Sequence, residues 1–474
     1  MFHNIPTATY PDLWPRVWQW SHFFETYPHC NPKALSREES RTFSVRLCYF
    51  ISHLREDDTA RDLIDSTPGV RVVLAKTWGI MLEESQLAIF DLCRFLGRDP
   101  AVSNHTDFLE FVEGAGGTIS DLALLVVKHI TWSCGELPTW PVSQIGLDQR
   151  NTLLHGGSNF LLATRAAKTD TFFHALISHG IVKALIEAAL ALGEKNTKGT
   201  VEALHSCFLT LAWIWDVEGA DRRSLMREAL GAGLMRALVL SAVHPCTPSP
   251  VTVQCLQQYL GRFIPEALTY HSVLSIIMQF FRSVEDLVET KRFRESKIFK
   301  EWRELEGLVQ DRLRVLEWYN SKDYESLRSC QIPDWTAGGH RDSCQYHRQV
   351  RSQEVRYVPG KDRSFIRACF DAHYTAARRG ILSAQLSFIK ENPSTQFYVL
   401  LSYKENTVTF DVQPVSINPG VAVEEWKDYV SRVNASGGRM ELHVLEHGSG
   451  DRGRSNTHTK LFRCGQAVGK CMKD

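Results

Sequence analysis

Four side chains suited to binding a transition metal fall within 18 residues: Cys330, His340, Cys344 and His347. Zinc takes four nitrogen or sulfur donors in a tetrahedron, and His340 and Cys344, four apart, share one face of a helical turn. Spacing alone leaves two readings open, a zinc site or a metal-free loop whose Cys and His are bystanders. No two cysteines stand in C-x2-C spacing, which excludes a thioredoxin-type redox site and a self-contained four-cysteine zinc site. Most of the 12 cysteines lie in apolar stretches such as Leu47-Cys48-Tyr49-Phe50, where a thiol acts as a small buried hydrophobe.

Other groupings are weaker. Gly448-Ser449-Gly450-Asp451-Arg452-Gly453 fits G-x-G-x-x-G, and Arg454 stands where a phosphate-binding loop has Lys. It follows a strand ending at Leu445, but Asn456-Thr457-His458-Thr459 opens no helix whose dipole would hold phosphate, so a turn is the better reading. His155-Gly156-Gly157-Ser158 has the composition of an oxyanion-hole loop, yet no G-x-S-x-G nucleophile turn accompanies it. His443, Glu446 and His447 form a titratable cluster. It supports either an exposed strand end or the site of an enzyme. Trp14, Trp18 and Trp20 read as core or capping residues rather than a ligand cage.

The elements that must position these groups are mainly helical. From about residue 40 to 290 apolar positions recur at i, i+3, i+4 and i+7, broken by Gly and Pro. Within this stretch Ala175-Leu176-Ile177-Ser178-His179-Gly180-Ile181-Val182-Lys183-Ala184-Leu185 is answered by Glu228-Ala229-Leu230-Gly231-Ala232-Gly233-Leu234-Met235-Arg236-Ala237-Leu238, the two glycines 53 apart. Fainter echoes stand at Gly69-Val70 and Gly116-Gly117. A glycine that turns one helix into an apolar second one is the grammar of stacked helical repeats, irregular and armadillo- or HEAT-like, with an ordinary helical bundle as the alternative.

Residues 296–318 then carry Ile298, Trp302, Leu305, Val309, Leu313 and Leu316 at steps of three and four, a long amphipathic helix with a solvated charged face. Beyond 360 come two helices, around Phe365–Tyr374 and Ala384–Lys390. Phe397, Val399, Leu401 and Tyr403 alternate, and Val408, Phe410 and Val412 answer them, which predicts a β-hairpin with one buried face. A helix around Val423–Val433 and a strand carrying Met440, Leu442 and Val444 complete a small α+β domain. The expected organisation is an extension at 1–40, the repeat region at 41–290, a linker helix at 291–322, the ligand-bearing segment at 323–348 and the α+β domain at 349–474.

Lys+Arg and Asp+Glu both number 54, so the chain lacks the net positive charge that favours nucleic acid. No apolar run approaches the roughly 18 residues that span a bilayer. The start, MFHNIPTATYPDLW, has no basic and apolar leader, so the expectation is a cytosolic or nuclear protein.

Cys330-Gln331, Asp334-Trp335, His340-Arg341 and Cys344 together resemble the second half of a MYND-type zinc finger, over about 15 of 474 residues. The whole chain resembles a fungal MYND-finger protein with helical repeats before the finger and an α+β tail after it. The resemblance implies a module that holds two zinc ions through seven cysteines and one histidine and docks proline-rich peptides of partner proteins. Position by position, Cys330 is similar to the sixth ligand, serving the first zinc, and His340 and Cys344 to the last two, serving the second. Gln331 and Trp335 match the pair that line the peptide groove.

The departures are also specific. Residues 320–329 run straight into Cys330 without the finger's first half, so five of the eight family ligands are missing. Four residues rather than two separate Trp335 from His340, and Pro333 falls where the finger's helix is continuous. A rescued site would take His347 as fourth donor beside Cys330, His340 and Cys344. The expected function is therefore protein–protein interaction through a degenerate MYND-type finger, without enzymatic activity. The alternative is a methyltransferase-like enzyme with its site in the C-terminal domain, although no segment resembles the Asn-His cofactor motif of SET-domain methyltransferases that carry such a finger.

Overall fold

The structure is a computed structural model and describes residues 7–26, 36–84, 89–98, 102, 104–134, 147–166, 170–193, 198–217, 221–244, 249–321, 360–404, 407–418, 423–435, 440–447 and 456–463. It is mostly helical, with a small sheet near the C-terminus. Two compact units divide the chain: Met1–Glu218 with Gly231–Cys255, and Gly219–Leu230 with Leu256–Asp474.

The first unit opens with α1 (Tyr10–Thr26) and α2 (Arg37–Leu54). Trp14 of α1 is buried, stacks on Trp18 at 5.7 Å between ring centres, and donates its indole N–H to Thr67 Oγ1 at 2.8 Å. Trp20 departs from its expected core or capping place: it is 63% exposed. Three successive triplets follow. They are α3 (Asp58–Asp65), α4 (Val70–Glu83) and α5 (Ile89–Arg98); α6 (His105–Ala115), α7 (Ile119–Cys134) and α8 (Leu147–Ala166); and α9 (Asp170–Ser178), α10 (Ile181–Gly193) and α11 (Lys198–Trp215). Then come α12 (Arg222–Gly231), whose residues up to Leu230 belong to the second unit, and α13 (Leu234–Ala242) of the first.

The packing repeats with the triplets. Second helices stack in order, α4 on α7, α7 on α10 and α10 on α13. Third helices do the same, α5 on α8 and α8 on α11. Each following first helix also packs against the preceding second helix, α6 on α4 and α9 on α7. The turns into α4, α7, α10 and α13 carry the described glycines of positive φ: Gly69, Gly116, Gly117, Gly180 and Gly233. These are the glycines of the repeated sequence phrase. At Gly233, with φ +100°, a side chain would also meet Leu190 Cδ1 at 3.0 Å, so glycine serves both the turn and the close approach to α10.

Tight packing is sharpest where α6 crosses α4. A Cβ on Gly114 would lie 2.1 Å from the backbone carbonyl oxygen of Val72. The same crossing is tied electrostatically. Glu110 of α6 accepts the backbone N–H of Gly69 (2.9 Å) and of Arg71 (3.3 Å), and Arg71 pairs with Asp107 at 3.3 Å. Gly69 has no side chain to cap α4, so the next triplet supplies the carboxylate at the positive end of that helix.

In the second unit α14 (Pro250–Gln258), which the boundary at Cys255 divides, runs through a π turn (Tyr259–Phe263) into α15 (Ile264–Ala267). Next are α16 (His271–Arg282), the short α17 (Glu285–Val288) and α18 (Lys291–Arg294), and the long α19 (Phe299–Ser321) that the amphipathic pattern predicts. Where two helices are expected beyond 360, there is a single one, α20 (Gly360–Glu391). Gly380 does not break it. Phe410 lies against the helix at that point, and a Cβ on Gly380 would stand 2.7 Å from the ring.

Strands β1 (Phe397–Lys404) and β2 (Thr407–Pro414) form the expected hairpin, with Leu401 opposite Phe410. α21 (Val423–Ala435) crosses to β3 (Met440–His447), parallel to β1, and β4 (Asn456–Arg463) pairs antiparallel to β3. The sheet order is β2-β1-β3-β4. The prediction of one buried face needs correction, since β1 is covered on both. Val399 and Leu401 pack with Ile366, Phe370 and Ile381 of α20, while Tyr398 packs with Trp426 of α21 and with Leu442 and Val444. The reason is in the run Phe397-Tyr398-Val399-Leu400-Leu401, which is apolar at every position rather than every second one. Among the described residues no single helix is long and apolar enough to cross a membrane.

Gly114→Ala should destabilise the chain by about 1–3 kcal/mol, because the methyl group meets a backbone carbonyl that cannot rotate away. Gly307 of α19 has open space around its Cβ position, and Gly307→Ala should be neutral or stabilising by up to about 1 kcal/mol. Thermal melts of the two variants would show opposite signs; equal losses would contradict the packing described for α4 and α6.

Candidate functional site

The predicted zinc donors Cys330, His340, Cys344 and His347, and the predicted peptide contacts Gln331 and Trp335, lie outside the described residues. What the structure defines is where their segment attaches. Residues 322–359 leave the end of α19 at Ser321 and enter α20 at Gly360. α19 and α20 pack antiparallel: Arg312 meets His373, and nearer the attachment Tyr319 meets Phe365, 5.8 Å between ring centres. The segment is thus hung from one end of a helical hairpin.

A charged residue on the apolar stripe holds this hairpin together. The buried row of α19 runs Trp302, Leu305, Val309 and Arg312. Arg312 is only 2% exposed, and its Nη1 lies 3.2 Å from His373 Nε2. His373 Nδ1 donates to the Cys369 carbonyl at 2.6 Å, leaving Nε2 as the lone pair that faces the guanidinium. Burial and the adjacent Arg312 charge depress the His373 pKa to about 4, so the imidazole is neutral at physiological pH. Burial likewise pushes the Cys369 thiol up to about 11, which removes it as a nucleophile.

The first turn of α20 is fixed by Asp362, 1% exposed. Its carboxylate accepts the Ser272 backbone N–H at 2.8 Å, the Ser272 hydroxyl at 3.0 Å and Arg223 Nη1 at 3.1 Å. It caps α16 from another helix, at an N-terminus where Tyr270 makes no side-chain cap. Burial pushes Tyr270, beside this group, up to about 12. Five positions on one helix therefore organise the unit: Asp362 for α16, Cys369 and His373 for α19, and Phe370 with Tyr374 against the sheet. The sequence carries a signal for part of this, since Arg312 interrupts an apolar row and Cys369 and His373 are four apart on a helix.

The first unit contains a thiol–imidazole pair that spacing did not reveal. Cys93 Sγ lies 3.8 Å from His129 Nε2, and both side chains are buried. The hydrogen bonds decide what this pair can do. Trp78 Nε1–H donates to His129 Nδ1 at 3.1 Å, so the proton sits on Nε2, which donates to the Leu153 carbonyl at 2.9 Å. Neither ring nitrogen is left to take a proton from the thiol. Burial lowers His129 to about 4 and raises Cys93 well above an ordinary thiol. The pair is a polar tie inside the helical stack, unsuited to nucleophilic catalysis.

The same contact explains His155-Gly156-Gly157-Ser158. These residues lie within α8, so they form no oxyanion-hole loop. A Cβ on Gly156 would meet Cys93 Cβ at 2.8 Å, and one on Gly157 would meet His129 Cδ2 at 2.8 Å. The paired glycines let α8 approach α5 and α7.

The remaining candidates resolve as follows. His443 is fully buried between Phe370 and Tyr374, with ring centres at 5.8 and 4.7 Å, so for this residue the exposed strand end is corrected. The backbones of Glu446 and His447 pair with Ser402 and Tyr403. Residues 448–455 lie outside the described residues, but the element that follows them is strand β4 rather than a helix. The G-x-G-x-x-G match therefore lacks the helix N-terminus it would need.

His129 and His373 predict a pH dependence. The unfolded chain takes up protons near pH 6.5 and the folded chain only near 4, so stability is full above about 6.5 and falls as pH drops toward 4. Each histidine contributes about 3 kcal/mol to that fall. Denaturant titrations between pH 7.5 and 4 should show it, and His129→Gln with His373→Gln should flatten the slope; an unchanged slope would refute the assignment.

Comparison with models of protein families, with curated proteins and with solved structures gives no match.

Proposed function

We propose that this chain is a non-enzymatic protein-interaction scaffold, in which an armadillo-like helical array and a degenerate MYND-type finger each present a docking surface. The observation that carries the reading is the threefold order of the stack, with second helices on second helices and third helices on third helices. A three-helix unit entered by a left-handed glycine before its second helix supports the armadillo-like form of the expected repeat over the two-helix HEAT-like form. Such arrays expose one row of side chains per helix along an extended surface.

Those rows differ in chemistry. The second helices expose Lys76, Lys128, Lys183 and Arg236, a solvated charged face. The third helices leave His155, Asn159 and Leu162 of α8 and His205, Leu209 and Trp213 of α11 open or half-buried. Amide, imidazole and indole groups on a rigid row are suited to holding a partner chain, since they combine apolar area with hydrogen bonding. Trp213→Ala with His205→Ala should abolish recovery of co-purifying partners while leaving the melting temperature within about 2 °C of wild type. Retention of the same partners would reject this surface.

For the finger, we propose one zinc held by Cys330, His340, Cys344 and His347, with Gln331 and Trp335 facing a proline-rich peptide in extended form. Support comes from the donor set itself and from the hairpin that anchors both ends of its segment. Metal analysis of the purified full chain should give one equivalent of zinc, and His347→Ala or Cys330→Ser should reduce it to none. Absence of zinc in the wild-type protein, or zinc that survives both substitutions, would remove the site.

A further inference from the structure

We draw no further inference here: the strongest candidate, the solvent-facing row of third helices α8 and α11 from His155 to Trp213, belongs to the docking surface already proposed, and nothing in the structure shows what covers it.

Discussion

The helical stack depends on how the apolar second helices are entered. A helix such as α10, buried at Ile181, Val182, Ala184, Leu185, Ile186, Ala188, Ala189 and Leu192, has neighbours on nearly every side. The chain must therefore turn into it within a residue or two, which requires positive φ and hence glycine at Gly180. Glycine, however, brings no side chain to satisfy the free N–H groups of the first turn. At α4 the next triplet solves the problem, because Glu110 of α6 reaches back to the Gly69 and Arg71 amides. At α7 the solution is local, with Thr118 and Asp121 capping each other's backbone N–H groups. Where the cap comes from a neighbour, turn and stacking form together, since neither is complete without the other.

The second unit is organised around a single helix instead of a repeating turn. α20 touches α16 through Asp362, α19 through His373, and the sheet through Ile366, Phe370 and Ile381. Its polar contacts are charged or charge-assisted and sheltered from water, where such bonds are strong and where losing one partner leaves the other stranded. A neutral His373 is what allows Arg312 to be buried beside it. The imidazole offers a lone pair without bringing a second positive charge.

Much of this was legible in the sequence, and the failures have identifiable causes. The left-handed glycines were visible because a positive φ leaves few alternatives, so Gly180 and Gly233 mark helix junctions directly. The β1–β2 hairpin is legible because two apolar, strand-prone runs, 397–403 and 408–412, flank the short stretch Lys404-Glu405-Asn406-Thr407. α20 differs from the two helices expected because its continuity through Gly380 is set by a distant partner, Phe410, 30 positions away, which occupies the space the glycine leaves. β4 is not legible because Asn456-Thr457-His458-Thr459-Lys460 shows no apolar alternation, and the structure gives it by its backbone pairing to β3. The Cys93–His129 contact spans 36 positions with no local pattern to announce it.

The candidate metal segment illustrates how scaffold and site can be separated. A metal contributes most to folding when it must also close the loop that bears its ligands, at an entropic cost that grows slowly with loop length. Here α19 and α20 already bring Ser321 and Gly360 to the same end of a packed hairpin, secured by Arg312, His373, Tyr319 and Phe365. The two ends of residues 322–359 are therefore held by the packed helices, whatever the donors between Cys330 and His347 bind. On the proposed reading, a single zinc held on a hairpin that is already packed would need less binding energy than a free-standing two-zinc module, whose fold rests on its metals.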